Sequence, residues 1–129
     1  MRMFLRKSPV RRDPLVIAMS GLRLGERLLQ IGVDDPAVLG ALAAKVGMSG
    51  HAAVVTMDER NAERARAGIA NASTLADVSV TSDGTLPSDE TSFDVAIIHS
   101  GHGLLSALDD ERRLRLLREV LRVSRPVDA

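Results

Sequence analysis

The side chains that could do chemistry fall in four short stretches. Leu28-Leu29-Gln30-Ile31-Gly32-Val33-Asp34-Asp35-Pro36 is an apolar run that meets one glycine and then an acidic turn opened toward a helix by proline. Asp58-Glu59, Ser82-Asp83-Gly84 and His99-Ser100-Gly101-His102 are the other three. A glycine at the end of an apolar run lets a ligand come close to the backbone. A carboxylate suits a diol, because each oxygen accepts one hydroxyl proton and charge-assisted bonds are the strong kind. An acidic residue such as Asp58, downstream of a glycine turn, is the arrangement that accepts hydrogen bonds from ribose hydroxyls. Asp58 equally suits the N-cap of a helix beginning near Asn61, and one residue can do both. His99 and His102 have the chemistry of a general base. Both also read as ordinary exposed loop residues.

These residues need elements to position them. Leu28 to Ile31 reads with Arg27 as a strand, and Ala37 to Val46, rich in Ala and Leu, as a helix. Ala52 to Met57 is a second strand, apolar without alternation, as in a parallel sheet buried on both faces. Asn61 to Ala72 is a charged, Ala-rich helix, Val78 to Thr81 a short strand, and Phe93 to Ile98 the clearest strand of all. Leu108 to Val123 is the strongest helix, with a buried stripe expected at Leu114, Leu117, Val120 and Leu121. Ahead of these, residues 1–12 read as a basic lead-in, and Asp13-Pro14 starts a short helix ending by Gly21 or Gly25. Strands alternating with helices predict one α/β domain over residues 13–129: a Rossmann-like, doubly wound, mostly parallel sheet. In such a sheet the strand C-terminal ends share one rim. Gly32 and Asp34, Asp58 and Glu59, Asp83, and His99 then arrive there from successive strands.

Composition narrows the classes of function. The 129 residues suffice for one small domain, and 45% are hydrophobic, which argues against disorder. Phe4 and Phe93 are the only aromatics, so the stacking platforms of single-strand nucleic-acid binders are missing. Net charge is zero, which favours neither nucleic acid nor an anionic membrane. Arg2, Arg6, Lys7, Arg11 and Arg12 make the N-terminus locally basic, as a solvated tail would be. The absence of cysteine and of any long apolar run fits a cytoplasmic protein with no disulfides or thiolate metal sites. A metal site would need His51, His99 and His102 to converge, and their spacing gives no support for it.

Gly32, Asp58, Ser82-Asp83-Gly84-Thr85-Leu86-Pro87, Ser92-Phe93-Asp94-Val95 and Leu117 to Pro126 stand in an order with a precedent. Over residues 25–126 the chain resembles the class I S-adenosylmethionine-dependent methyltransferases of the small-molecule type. The resemblance implies S-adenosylmethionine as cofactor and methyl transfer to a small-molecule acceptor. It implies that Gly32 admits the methionine part, with Asp34 beside it. Asp58 would hold the ribose hydroxyls, with Glu59 next to it, and Asp83 the adenine amino group. Gly84 would shape the adenine pocket, and Ile98 and His99 would line the floor near the sulfonium, with His99 or His102 as base.

The chain departs from the family pattern at two places. Gln30 stands where the family carries an acidic residue, and Val33-Asp34-Asp35-Pro36 replaces its further glycines. Family members also continue past Pro126 into further strands, so the C-terminal part of the sheet is expected to be missing. That would leave the 93–98 strand at an edge, open to a second copy or a partner. The rival from another class is a non-catalytic methyltransferase-like interaction or regulatory module. A receiver domain needs an aspartate where His99 stands, and a dinucleotide-binding turn needs two more glycines.

Overall fold

The structure is a computed structural model that describes residues 2–6, 22–81, 83, 85–86, 93–99 and 109–123. The apolar runs of the sequence become strands, and the Ala- and Leu-rich runs become helices. In chain order they are β1 (Arg2–Arg6), β2 (Arg27–Ile31), α1 (Pro36–Val46), β3 (His51–Thr56), α2 (Glu59–Asn71), β4 (Asp77–Val80), β5 (Val95–His99) and α3 (Asp110–Val123). The strands form one sheet in the order β1-β5-β2-β3-β4, and every neighbouring pair is parallel. The central strands are buried on both faces, which is why they read as continuous apolar runs.

Successive side chains of a strand point to opposite faces, and the two faces carry separate cores. Leu28, Val54, Val95 and Ile97 pack with Val38, Leu39 and Leu42 of α1 and with Ala65 and Ile69 of α2. On the other face Leu29, Ile31, Val55, Ala96 and Ile98 pack with Leu116, Val120 and Val123 of α3 and with Leu86 and Phe93. Helices on both faces make the sheet doubly wound, as expected. Helices α1 and α2 approach closely because Gly40 and Gly68 face each other. An added Cβ on Gly40 would lie 2.2 Å from the Gly68 carbonyl oxygen, and one on Gly68 2.1 Å from that of Pro36.

Residues 2–6 are not lead-in but strand. β1 runs parallel to β5 in a continuous register from Arg2 opposite Val95 to Arg6 opposite His99. The edge that the sequence left open for a partner is therefore filled by the chain itself. The stripe expected on α3 holds at Val120 and, partly buried, at Leu117, and is corrected at its other two positions. Leu116, Val120 and Val123 are the buried residues, whereas Leu114 and Leu121 are exposed. Residues 116, 120 and 123 follow the i, i+4, i+7 spacing of one helical face. The helix carries leucine on two flanks, and docking to the sheet decides which one is used. The helix expected from Asp13 lies outside the described residues.

At the start of the central strands, Asp94 ties β5 to β2. Its Oδ2 accepts from the Arg27 backbone N–H at 3.0 Å, and its Oδ1 from Arg27 Nη2 at 3.1 Å. The Asp94 N–H donates in return to the Arg27 carbonyl at 2.9 Å. The aspartate of the Phe93-Asp94 element thus works at the end of the sheet remote from the rim.

Candidate functional site

Because all neighbouring strands are parallel, Gly32, Asp58, Thr81 and His99 end or follow strands on the same rim. Gly32 adopts φ +79°, a left-handed conformation that glycine tolerates and other residues rarely adopt. Its N–H donates to the Val55 carbonyl at 2.8 Å, extending the β2–β3 ladder by one bond before the chain turns away. Asp35 then caps α1, its Oδ1 accepting from the Ala37 N–H at 2.9 Å, with Pro36 in the first helical position. Asp34 is 5% exposed, so the carboxylate that replaces a glycine in this turn is buried.

Asp58 is the N-cap of α2. Its Oδ1 accepts from the Asn61 N–H at 2.8 Å and its Oδ2 from Asn61 Nδ2 at 3.3 Å, and the residue is exposed. Each carboxylate oxygen accepts more than one hydrogen bond, so the cap leaves capacity for a diol. Glu59, exposed in the first turn, pairs with Arg66 at 2.7 Å. The same helix sends Arg64 across to the β2–α1 turn. Its Nη2 donates to the Asp34 carbonyl at 2.7 Å, and its Nη1 to Asn61 Oδ1 at 3.0 Å and the Val33 carbonyl at 3.5 Å.

After β4, Asp83 Oδ1 accepts from the Thr81 hydroxyl and from the Thr85 N–H, both at 3.0 Å. Helix α3 clasps this segment with side chains at i, i+4 and i+7. Arg115 donates to the Asp83 carbonyl at 3.1 Å, Glu119 accepts from the Leu86 N–H at 3.0 Å, and Arg122 donates to the Leu86 carbonyl at 3.0 Å. The Arg122 hydrogen bond holds the Glu119 carboxyl below its usual range, aided by the Leu86 N–H and opposed by burial. The Asp83 carboxyl is likewise low, chiefly through the Thr85 N–H, then the Thr81 and Thr85 side chains, with a smaller contribution from Arg115. A carboxylate depressed in the folded state contributes stability above its unfolded pKa and loses it as pH falls through the folded value. The Thr85 amide resonance is therefore expected to stay still from neutral pH to about 4 and to move only below the ordinary carboxylate range. Asp83→Asn should abolish the movement; a shift beginning above pH 5 would contradict the assignment.

His99 is not a loop residue but the last residue of β5, and it is buried, as is Ile98 before it. The parallel register sets Gln30 opposite Ile97, which brings His99, two residues on, to the same face as Gln30. His99 Nε2 lies 2.8 Å from Gln30 Oε1, while Gln30 Nε2 donates to the Leu39 carbonyl at 3.1 Å. With the amide oriented by that donation, its oxygen is the acceptor and His99 Nε2 carries the proton. Gly84 and His102 lie outside the described residues.

The sequence missed Arg64, the α3 clasp and the Gln30–His99 pair. Only the last had a signal: a glutamine inside an otherwise apolar run must find a partner when buried. A cavity of about 340 Å³ lies at the opposite end of the strands, between Met48, His51, Leu75 and Asp77. The rim is the place where open parallel sheets take ligands. Among the described residues no three metal-binding side chains converge, and no helix is long and apolar enough to cross a membrane.

The fold is that of the S-adenosylmethionine-dependent methyltransferases. The chain is similar to a SAM-dependent methyltransferase from Aquifex aeolicus (TM-score 0.70, 22% identity), over 88% of this chain and 59% of that one. It is also similar to an arsenic(III) S-adenosylmethionine methyltransferase from Chlamydomonas reinhardtii (TM-score 0.65, 23% identity), over 80% of this chain and 36% of that one. The chain thus spans less than two thirds of either neighbour. No family model and no curated protein matches the sequence.

Proposed function

We propose that this chain is the cofactor-binding part of an S-adenosylmethionine-dependent methyltransferase acting on a small-molecule acceptor. The observation that carries this reading is the rim. Gly32, Asp58 and Asp83 follow three parallel strands of a methyltransferase fold in the order the cofactor needs. The residues fit the group. The left-handed turn at Gly32 brings backbone, with no side chain, to the place where the methionine end would lie. Asp58 and Asp83 are exposed carboxylates whose remaining acceptor sites suit the ribose hydroxyls and the adenine amino group.

When bound, S-adenosylmethionine supplies an electrophilic methyl group to a nucleophile in line with the sulfonium. The protein's part is to position and to exclude water. Gly32 and the turn after it hold the amino-acid end, Asp58 fixes the ribose, and Asp83 with the α3 clasp fixes the base. Buried Ile98 and His99 close the floor. His99 serves that floor as a buried, hydrogen-bonded ring and not as an exposed base.

Calorimetric titration with S-adenosylmethionine and S-adenosylhomocysteine tests the proposal. The wild type is expected to bind both, and Asp58→Ala to bind at least about tenfold more weakly, as for the loss of charge-assisted hydrogen bonds. An absence of heat with the wild type would overturn the proposal and leave a methyltransferase-like interaction module as the reading.

A further inference from the structure

We propose that Arg64 is a positioning residue for the cofactor: its guanidinium holds the β2–α1 turn in its receptive shape and couples that turn to Asp58. The inference rests on the cofactor reading above. Arg64 stands one helical turn after Asn61, which itself stands three residues after the cap Asp58. Its planar fork reaches two consecutive carbonyls of the turn, those of Val33 and Asp34, and with the same Nη1 the Asn61 amide oxygen. Asn61 in turn donates its backbone N–H to Asp58 Oδ1 and its side-chain amide N–H to Asp58 Oδ2. One unbroken chain of hydrogen bonds therefore runs from the turn at Gly32 to the carboxylate proposed to hold the ribose.

The geometry gives this chain a purpose. Peptide units are planar, and none here is cis. Turning the Val33 and Asp34 carbonyls toward α2 therefore turns the N–H groups of Asp34 and Asp35 to the opposite side. A turn of Val33-Asp34-Asp35 has no glycine after Gly32 to let it adapt to a ligand, so its shape must be set in advance. The Arg64 fork, bonded to two carbonyls of the turn, sets that shape. A lysine could not do the same, because one ammonium lacks the fixed fork that spans both carbonyls and Asn61.

The test combines two measurements on the full chain: titration with S-adenosylhomocysteine, and hydrogen exchange of the peptide covering residues 32–35 without ligand. Arg64→Ala and Arg64→Lys are both expected to weaken binding about tenfold, the scale of losing hydrogen bonds from a charged donor. Both should speed exchange in the turn while Tm changes little, since Arg64 is only half-buried and outside the core. Wild-type affinity in Arg64→Ala, or full rescue by lysine, would overturn the inference. So would unchanged exchange at 32–35. If the wild type itself binds nothing, the cofactor reading fails alone, and faster exchange in Arg64→Ala would still support the pin on the turn.

Discussion

Alanine at position 68 is expected to destabilise the fold by about 3 kcal/mol, at the upper end for an overpacked site. In an exposed helix the same change would stabilise by about 1 kcal/mol, because glycine is a poor helix former. Here the new Cβ would sit 2.1 Å from the Pro36 carbonyl oxygen and 2.8 Å from its carbonyl carbon. Backbone cannot swing aside as a side-chain tip does, so α2 must back away from α1. The reciprocal contact, 2.2 Å from a Cβ on Gly40 to the Gly68 oxygen, shows that neither helix has slack. The disturbance falls on the first residue of α1, directly after Asp35, so the β2–α1 turn should loosen with the crossing. Urea unfolding checks the value, with Ala70→Gly on the exposed side of α2 as control. A loss below about 1 kcal/mol for Gly68→Ala would show that the helices can part cheaply.

Gln30→Leu is expected to cost about 2 kcal/mol although it puts an apolar side chain of similar size into a buried strand. The loss comes from His99, whose Nε2–H would have no acceptor in place of Gln30 Oε1. Gln30→Glu is the sharper variant. It keeps an acceptor for His99 but removes the donor that now serves the Leu39 carbonyl, and it sets a carboxylate against that oxygen. The site needs one donor and one acceptor on a single side chain, which glutamine has and ionised glutamate lacks. A carboxylate there would also raise the His99 pKa. A histidine with a raised folded pKa contributes stability below its unfolded value and loses it as pH rises through the folded one. Gln30→Glu should therefore be more stable at pH 5 than at pH 8, a dependence that Gln30→Leu should lack. Denaturation midpoints at the two pH values decide this, and a flat response in Gln30→Glu would refute the assigned pair.

Local chemistry made most of the fold legible. Pro36 opens α1 as the sequence implies, with Asp35 as its cap, and Asp58 takes the cap role on α2, one of the two roles its position allows. The apolar run at β3 announces a strand buried on two faces, and those at β2 and β5 announce strands. The rim follows from parallel topology alone, so the sequence already places Gly32, Asp58 and Asp83 after strand ends. What escaped was whatever a distant partner decides. Arg2 to Arg6 looked like a charged tail because nothing nearby in sequence pairs with it. Arg64 looked like one more arginine on a solvated helix, since its acceptors are main-chain oxygens that have no sequence signature. The buried face of α3 is legible only at Leu117 and Val120, because its leucines occupy two flanks and only the sheet selects between them. His99 was placed in a loop because the glycines that follow it suggested one a residue too early.

The pairing of β1 with β5 has a consequence for how the chain reaches this shape. Arg2 meets Val95, a separation of 93 residues, whereas β2, α1, β3, α2 and β4 follow one another closely and need only short loops. Contacts of long sequence separation form late, because chain entropy must be lost before they return anything. Among the described strands, β1 is thus the one expected to join the sheet last. Until β5 is in the sheet, residues 2–6 have no edge to join. The β2-α1-β3-α2-β4 body is expected to form first, β5 to add against β2, and β1 to join beyond β5.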